Sequence, residues 1–310
     1  MKYFDLHCDT ISECRKRNLS LRAAPGLSVS LEKGSRYETW GQVFAIWLED
    51  ELRGESAYRY FSDLAAFFAR EIERNSDLVS FCRSAGDIRK AEEAQKEIAL
   101  LSIEGSAALG GRLEHLYDAQ KAGVRLITLT WNARCEAGDG CMVPDAGGLT
   151  PFGFDLVREM NRLNVIVDVS HLSEKGFWDV ARTSKRPFVA SHSDSKVLCG
   201  VQRNLTDDQF RELAQGGGLA GINFYKDFLA DGTAVPDDIL RHIDHFLRLG
   251  GENTLAIGSD FDGCELVQGI RGLEDMADLY GRVAGEFGAD IAGRIFYSNV
   301  RRFFAENLEQ

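Results

Sequence analysis

The feature that most constrains this chain is an alternation: short apolar runs recur along it, and a longer amphipathic stretch separates each from the next. Eight runs read as buried strands: Tyr3–Leu6, Val43–Leu48, Ile98–Ile103, Leu126–Leu129, Val165–Val169, Phe188–Ala190, Leu219–Ile222 and Leu255–Ile257. The stretches between them read as helices. Ser56–Glu73 sets Tyr60, Leu64, Phe67 and Phe68 on one stripe. Pro236–Gly250 opens on Pro-Asp-Asp, suited to a helix N-terminus, and closes on Gly-Gly. Eight strands alternating with helices in 310 residues predict an α/β chain folded as a (β/α)8 TIM-type barrel, one domain over residues 1–310. A doubly wound open sheet is the competing architecture. Its Gly-rich dinucleotide turn is missing: the nearest text, Gly216-Gly217-Gly218, precedes a strand instead of following one. Asn18–Gly41 and Cys135–Thr150 read as loops, and the second, which follows a strand, would lie over the active-site face of a barrel.

Composition narrows the partners. With 44% hydrophobic and 27% charged residues the chain is a folded one. A net charge of −12 argues against nucleic acid and against anionic membrane surfaces. No apolar run is long enough to span a bilayer. The opening Met-Lys-Tyr-Phe-Asp turns polar too soon for a signal peptide, and the C-terminal residues lack the apolar tail of a lipid-anchor signal. Seven cysteines without paired spacing suit reduced thiols and the cytoplasm. Barrel hydrolases often pair, which leaves a homodimer open, and no stripe marks its surface.

The chemistry sits just past the strand ends. Strand one runs into His7-Cys8-Asp9, strand three into Glu104, strand five into His171, strand six into His192 and strand eight into Asp260. In a barrel these ends share one rim. His7 and Asp9, two apart on an extended segment, leave the same face and can share a cation. His171 and His192, from adjacent strands, can hold a second, and Glu104 can bridge the two. Imidazole with carboxylate suits zinc or a similar first-row ion, and two such ions make a hydrolytic centre. Taken singly, each residue has a plainer reading: a strand-end histidine bonded to backbone, or an Asx turn in Ser259-Asp260-Phe261-Asp262-Gly263. Asp168, inside a strand, reads as a buried partner of a neighbouring helix or as a group that supports the ligands from behind. His115, His242 and His245 fall in helical stretches and read as structural.

These phrases also carry a resemblance. Asp5-Leu6-His7-Cys8-Asp9-Thr10, Ser102-Ile103-Glu104-Gly105, Asp168-Val169-Ser170-His171, Ser191-His192-Ser193, Gln202-Arg203-Asn204, Asn223-Phe224-Tyr225 and Gly258-Ser259-Asp260-Phe261-Asp262-Gly263 resemble, in order and spacing, the membrane (renal) dipeptidase family. The resemblance runs on through Gly272-Leu273-Glu274-Asp275 to Asn299–Phe303, essentially the whole chain. It implies a barrel that binds two zinc ions and hydrolyses dipeptides, often accepting a D-residue at the C-terminal position. It implies His7 and Asp9 on the first zinc, His171 and His192 on the second, and Glu104 bridging. It implies Arg203 on the substrate's C-terminal carboxylate, Tyr225 beside it, and Asp260 shuttling a proton.

Arg203 has a competing reading as an ion pair to Asp207 or Asp208, and Asp262 stands two residues from Asp260 and could serve in its place. One departure is clear. The animal enzymes carry a histidine after the Leu129-Thr130 pair, and Trp131 stands there instead. An indole donates one hydrogen bond and takes no proton. Two other functions are compatible with the barrel: an amidohydrolase acting on N-acyl amino acids or lactones, and a catalytically silent metal-binding barrel.

Overall fold

The computed structural model describes residues 1–308, so the last two residues of the expected 1–310 domain lie outside the described residues. Nine strands form one sheet: β1 (Lys2–Cys8), β2 (Thr39–Trp47), β3 (Val79–Phe81), β4 (Glu97–Glu104), β5 (Val124–Thr128), β6 (Ile166–Asp168), β7 (Val189–Ala190), β8 (Leu219–Ile222) and β9 (Leu255–Ile257). Every pairing is parallel. β2 pairs with β4 from Gly41↔Ile98 to Trp47↔Glu104, and β1 pairs with both β2 and β9. Those contacts close the eight strands other than β3 into a barrel, which excludes the open sheet.

β3 is the strand the apolar pattern did not show. Val79-Ser80-Phe81 is only three residues long, and Ser80 breaks the short apolar stretch Leu78–Cys82. Pairing with Glu97–Ala99 beside the start of β4 makes it a strand. The long connection after residue 18 also differs from a plain loop: it contains a helix, Leu31–Gly34, and β2 begins inside its expected span at Thr39.

Two apolar layers hold the barrel. Inside, Phe4, Leu6, Val43, Leu100, Leu126, Ile166, Val189 and Leu219 pack with Phe303, Phe304 and Leu308. The helix Asn299–Asn307 therefore plugs the end where the strands begin; Phe304 lies 5.5 Å from Phe4. Outside, Ile46, Leu101, Ile103 and Val167 pack against Phe61, Leu64, Phe68, Leu156 and Phe246 of the helices. Each such buried side chain contributes about 2 kcal/mol.

The first long helix, Gly54–Arg74, buries Ala57, Phe61, Leu64, Ala65, Phe68 and Ile72. Its stripe is turned from the expected one: Tyr60 and Phe67 are only half-buried, because Ala57 and Ala65 provide the close approach. Three successive strand-to-helix connections, after β5, β6 and β7, end on hydroxyl caps. Thr150, Ser173 and Thr206 accept the backbone N–H of Gly153, Gly176 and Gln209. The segment from Cys135 to Thr150 forms no helix or strand and is pinned by isolated bridges, Gly138↔Leu149 and Gly140↔Leu172. Cys141 N–H donates to the His171 carbonyl at 2.7 Å, so this loop does lie on the strand-end rim.

Candidate metal centre and its two cavities

Because the sheet is parallel and its other end is plugged, the strand-end residues meet on one open rim. His7 Nε2 stands 3.3 Å from Asp9 Oδ2, 3.5 Å from Glu104 Oε2 and 3.9 Å from Asp260 Oδ1. The other oxygen of Glu104, Oε1, lies 2.8 Å from His171 Nε2 and 3.5 Å from His192 Nε2. Glu104 thus faces His7 with one oxygen and the His171/His192 pair with the other. The ligand atoms fall into three overlapping sets, each within 4.8 Å: His7–Asp9–Glu104, Glu104–His171–His192 and His7–His192–Asp260.

Local backbone explains the convergence. The β1–β2 register slips between Asp5 and Cys8, an irregularity that re-aims the strand end. Asp9 has already left the strand and stands at the head of the helix Thr10–Arg17, with its carboxylate turned to His7 instead of capping that helix. His171 and Asp260 take left-handed backbone, φ 65° and 60°, at sharp turns. A Cβ at Gly263 would sit 2.1 Å from Asp9 Oδ2 and 2.5 Å from Asp260 Oδ1. Only glycine lets both carboxylates crowd that spot.

Two further aspartates fix the rim. Asp5 accepts the N–H groups of His7 and Ser259, tying β1 to β9. Asp168 does the same across β6 and β7, accepting from Ser170 N, Ser191 N, Thr128 Oγ1 and Ser191 Oγ. Of the two roles expected of Asp168 this is the support of a ligand through Ser191, and no neighbouring helix supplies its partners. Sequence reasoning did not single out the residues that orient the imidazoles. His171 Nδ1 meets Asn132 Oδ1 at 2.8 Å, and His192 Nδ1 meets Ser191 Oγ at 2.6 Å, which in turn donates to Asp168. Each bond fixes the ring and turns its Nε2 inward. The signals were present, since Asn132 follows Trp131 and Ser191 precedes His192.

The electrostatics fit a cation. Burial opposes charge on His7, yet Glu104 and Asp9 outweigh it and push its pKa well above the ordinary value. Burial, then the Glu104 charge, pushes Asp9 up to about 7. Burial works against ionised Glu104, but the three histidines hold it well below the usual carboxylate range. Burial, then neighbouring positive charge, lowers His171 and His192. Both ring nitrogens of His7 and Asp9 Oδ1 are buried without a hydrogen-bond partner. Buried lone pairs of this kind, imidazole and carboxylate facing one centre, are a donor set that fits a divalent metal.

Two cavities meet at His171. One, about 410 Å³, is lined by Asp9, Glu104 and Asp260 and walled by Trp47, Trp131, Tyr225 and Phe228. Trp131 stands edge-on to Trp47, 5.1 Å between ring centres. Tyr225, expected beside Arg203, is on this wall and not in the cavity that Arg203 lines. Phe228 stands between them, 4.7 Å from the Tyr225 ring and 5.4 Å from the Arg203 guanidinium. The Tyr225 phenol is engaged by Asp227, which with burial pushes it up to about 12. Asn223 Nδ2 donates to Asp260 Oδ2 at 3.1 Å, leaving Oδ1 toward His7. The second cavity, about 480 Å³, is lined by His171, Ser193 and Arg203. Arg203 does not pair with Asp207 or Asp208, which engage His245 and Arg211. Its guanidinium is buried, donating from Nη1 to Ser193 Oγ and from Nη2 to the His192 carbonyl.

Asp262 also lines the first cavity, but its carboxylate is engaged elsewhere. Its carboxylate accepts from Thr10 Oγ1 and Ser28 N–H, both at 2.6 Å. The other three histidines stay apart from the centre: His115 bonds the Leu109 carbonyl, His242 the Leu229 carbonyl and His245 the Asp207 carboxylate.

Comparison with known proteins agrees with this geometry. The sequence model of the membrane dipeptidase family (peptidase family M19) matches residues 1–307. An uncharacterised Klebsiella pneumoniae protein is 39% identical over 65% of this chain and 78% of its own length. An uncharacterised dipeptidase of Schizosaccharomyces pombe is 36% identical over 66% of the chain, a match spanning half of that protein. A metallopeptidase from Rhodobacter sphaeroides, solved with a phosphinate mimic of the dipeptide L-Ala-D-Ala, superposes with a TM-score of 0.92 at 26% identity, covering 99% of each chain. A crystal structure of an M19 dipeptidase gives a TM-score of 0.93 at 27% identity, covering 100% of this chain and 99% of the other.

Proposed function

The chain belongs to the membrane dipeptidase family, peptidase family M19, and from that premise we propose how it divides the work of a metallo-dipeptidase among its residues. His7 and Asp9 would hold one zinc ion and His171 and His192 a second, with Glu104 available to both. The observation that carries this reading is the placement of Glu104, one oxygen toward His7 and the other toward the His171/His192 pair. When bound, the two ions supply Lewis acidity toward the scissile carbonyl and toward water.

The remaining steps fall to side chains. The C-terminal carboxylate of a dipeptide lies close to its scissile bond, so a cation beside the centre positions that bond. Arg203 supplies it, with a planar guanidinium suited to paired hydrogen bonds. Asp260, held through Oδ2 by Asn223, presents Oδ1 to the centre. It accepts the proton of the attacking water and delivers it to the departing nitrogen, which as an amide anion is too basic to leave unprotonated. Trp131, where animal relatives have histidine, shapes the wall, and Tyr225 stands beside it. Dipeptides with a C-terminal D-residue fall within the proposed substrate range. The seven cysteines are all free, which supports a reducing compartment such as the cytoplasm.

The test combines metal analysis with turnover. Purified protein should carry about two zinc ions, lose dipeptide hydrolysis on chelation and regain it with zinc. Asp260→Asn should keep the metals while kcat falls about 10²–10⁴-fold. Full activity after exhaustive metal removal would overturn the reading.

A further inference from the structure

The two cavities on either side of His171 carry opposite charge. Beyond Asp9, Glu104 and Asp260, whose charge two bound zinc ions would offset, the wall with Trp131 carries Glu13, Asp262 and Glu265, and no lysine or arginine among the described residues. The other wall brings Arg203, Lys196 and Lys175 together, against Asp145 and Glu174. A zwitterionic dipeptide laid across His171 therefore has one favoured direction, ammonium end toward the tryptophans and carboxylate end toward Arg203.

The basic cavity has more capacity than a main-chain carboxylate uses. Arg203 is only 6% exposed, and its Nε has no hydrogen-bond partner. Lys196 lines the same cavity and is held in place there. Its backbone N–H donates to the Leu205 carbonyl, and its ammonium donates to Gln202 Oε1 at 3.1 Å, one residue from Arg203. The Lys196 side chain is about three-quarters buried, and the Glu174 carboxylate stands 3.9 Å from its ammonium with 57% of its side chain in solvent. Such a pair is screened and weak. An ammonium has three donors, and Gln202 takes one of them. The cavity, about 480 Å³, has room for a side chain far larger than a methyl group.

Resting on the dipeptidase reading above, we propose that this cavity is a subsite for dipeptides with an acidic C-terminal residue. Arg203 takes the main-chain carboxylate and Lys196 takes the side-chain carboxylate. The main-chain carboxylate and the acidic side chain leave the same Cα, so two cations lining one cavity can each take one carboxylate. A neutral isostere fills the same space but makes no charge-assisted bond to Lys196.

The experiment is a ratio measured within each enzyme: kcat/KM for Ala-Glu over kcat/KM for Ala-Gln, with L- and D-residues at the C-terminal position. In the wild type the ratio should be about 10 or more for the better-accepted stereoisomer, the size of one charge-assisted hydrogen bond. In Lys196→Met it should collapse to about 1, and Lys196→Arg should restore part of it. A ratio cancels any loss of folded enzyme. A wild-type ratio near 1, or a ratio unmoved by Lys196→Met, overturns the assignment. Turnover of Ala-Ala with a flat ratio overturns only this selectivity, whereas no turnover of any dipeptide by zinc-loaded protein removes the dipeptidase reading as well.

Discussion

Asp262→Ala tests whether the two aspartates of Ser-Asp-Phe-Asp-Gly do different jobs. Asp262 ties the β9 end to the helix after β1 and to the long connection that follows, through Thr10 Oγ1 and Ser28 N–H at 2.6 Å each. Both are bonds to a charged acceptor, worth about 1.5–2 kcal/mol apiece, and truncation leaves the Ser28 N–H unpaired. Against that, burial raises the pKa of Asp262 ahead of the lowering by these bonds, so removing the carboxylate recovers part of its desolvation. The net loss should be about 3 kcal/mol. With an unfolding entropy of about 2.1 cal/mol/K per residue, the chain changes by roughly 0.65 kcal/mol per degree, so Tm should fall by about 5 °C. Calorimetric melting of the zinc-loaded protein reads the shift, and Ala-Ala hydrolysis at 25 °C, well below the melt, reads kcat. Asp262→Ala should lower Tm with kcat within about threefold, and Asp260→Asn should do the reverse. A Tm within about 1 °C of wild type, or a kcat loss in Asp262→Ala as large as that of Asp260→Asn, would refute the division.

Three other outcomes are expected. Glu104→Gln should weaken both metal positions together, so that bound zinc drops below about one per chain, while His171→Ala should empty mainly one; metal analysis after dialysis separates the two. Arg203→Lys keeps the charge but loses the planar fork. It should lower kcat/KM for free dipeptides about 10–100-fold and leave C-terminally amidated ones little changed, and equal losses on both would assign Arg203 to folding. Glu97, at the start of β4, is buried with both carboxylate oxygens unpaired, and burial pushes its pKa from 4.5 up to about 9. Between those values the folded protein keeps a proton that the unfolded chain releases, so stability falls as pH rises through that window. By pH 7 the penalty is about 3 kcal/mol. Glu97→Gln should therefore melt several degrees above wild type at pH 8 and level with it at pH 4, and equal melting at pH 8 would count against it.

His7, Glu104, His171, His192 and Asp260 were legible from the chain alone because a parallel barrel translates position along the sequence into position in space. Each C-terminal strand end reaches the same rim, so a residue just past an apolar run is a rim residue wherever its strand lies. The strands themselves were readable from burial: a strand covered on both faces must be apolar nearly throughout, and the eight runs are, apart from Asp5, Ser102, Thr128 and Asp168. β3 escaped because pairing with β4, and no unbroken apolar run of its own, makes Val79–Phe81 a strand. The stripe of Gly54–Arg74 was read slightly rotated because alanine, small and weakly apolar, marks the closest contact.

What tertiary structure alone decided is which of several equivalent groups faces the centre. Asp260 and Asp262 are the same residue two positions apart, with left-handed φ of 60° and 65°. Nothing local separates them. Asp262 is claimed by Thr10 and Ser28, 252 and 234 residues away in sequence, and Asp260 by Asn223, 37 away. Arg203 likewise had carboxylates close by in sequence, and the fold gave those to His245 and Arg211. Periodicity along one strand or helix reports burial, because burial repeats with the backbone. The partner of a polar side chain is set by which distant loop packs against it, and that is a property of the closed barrel.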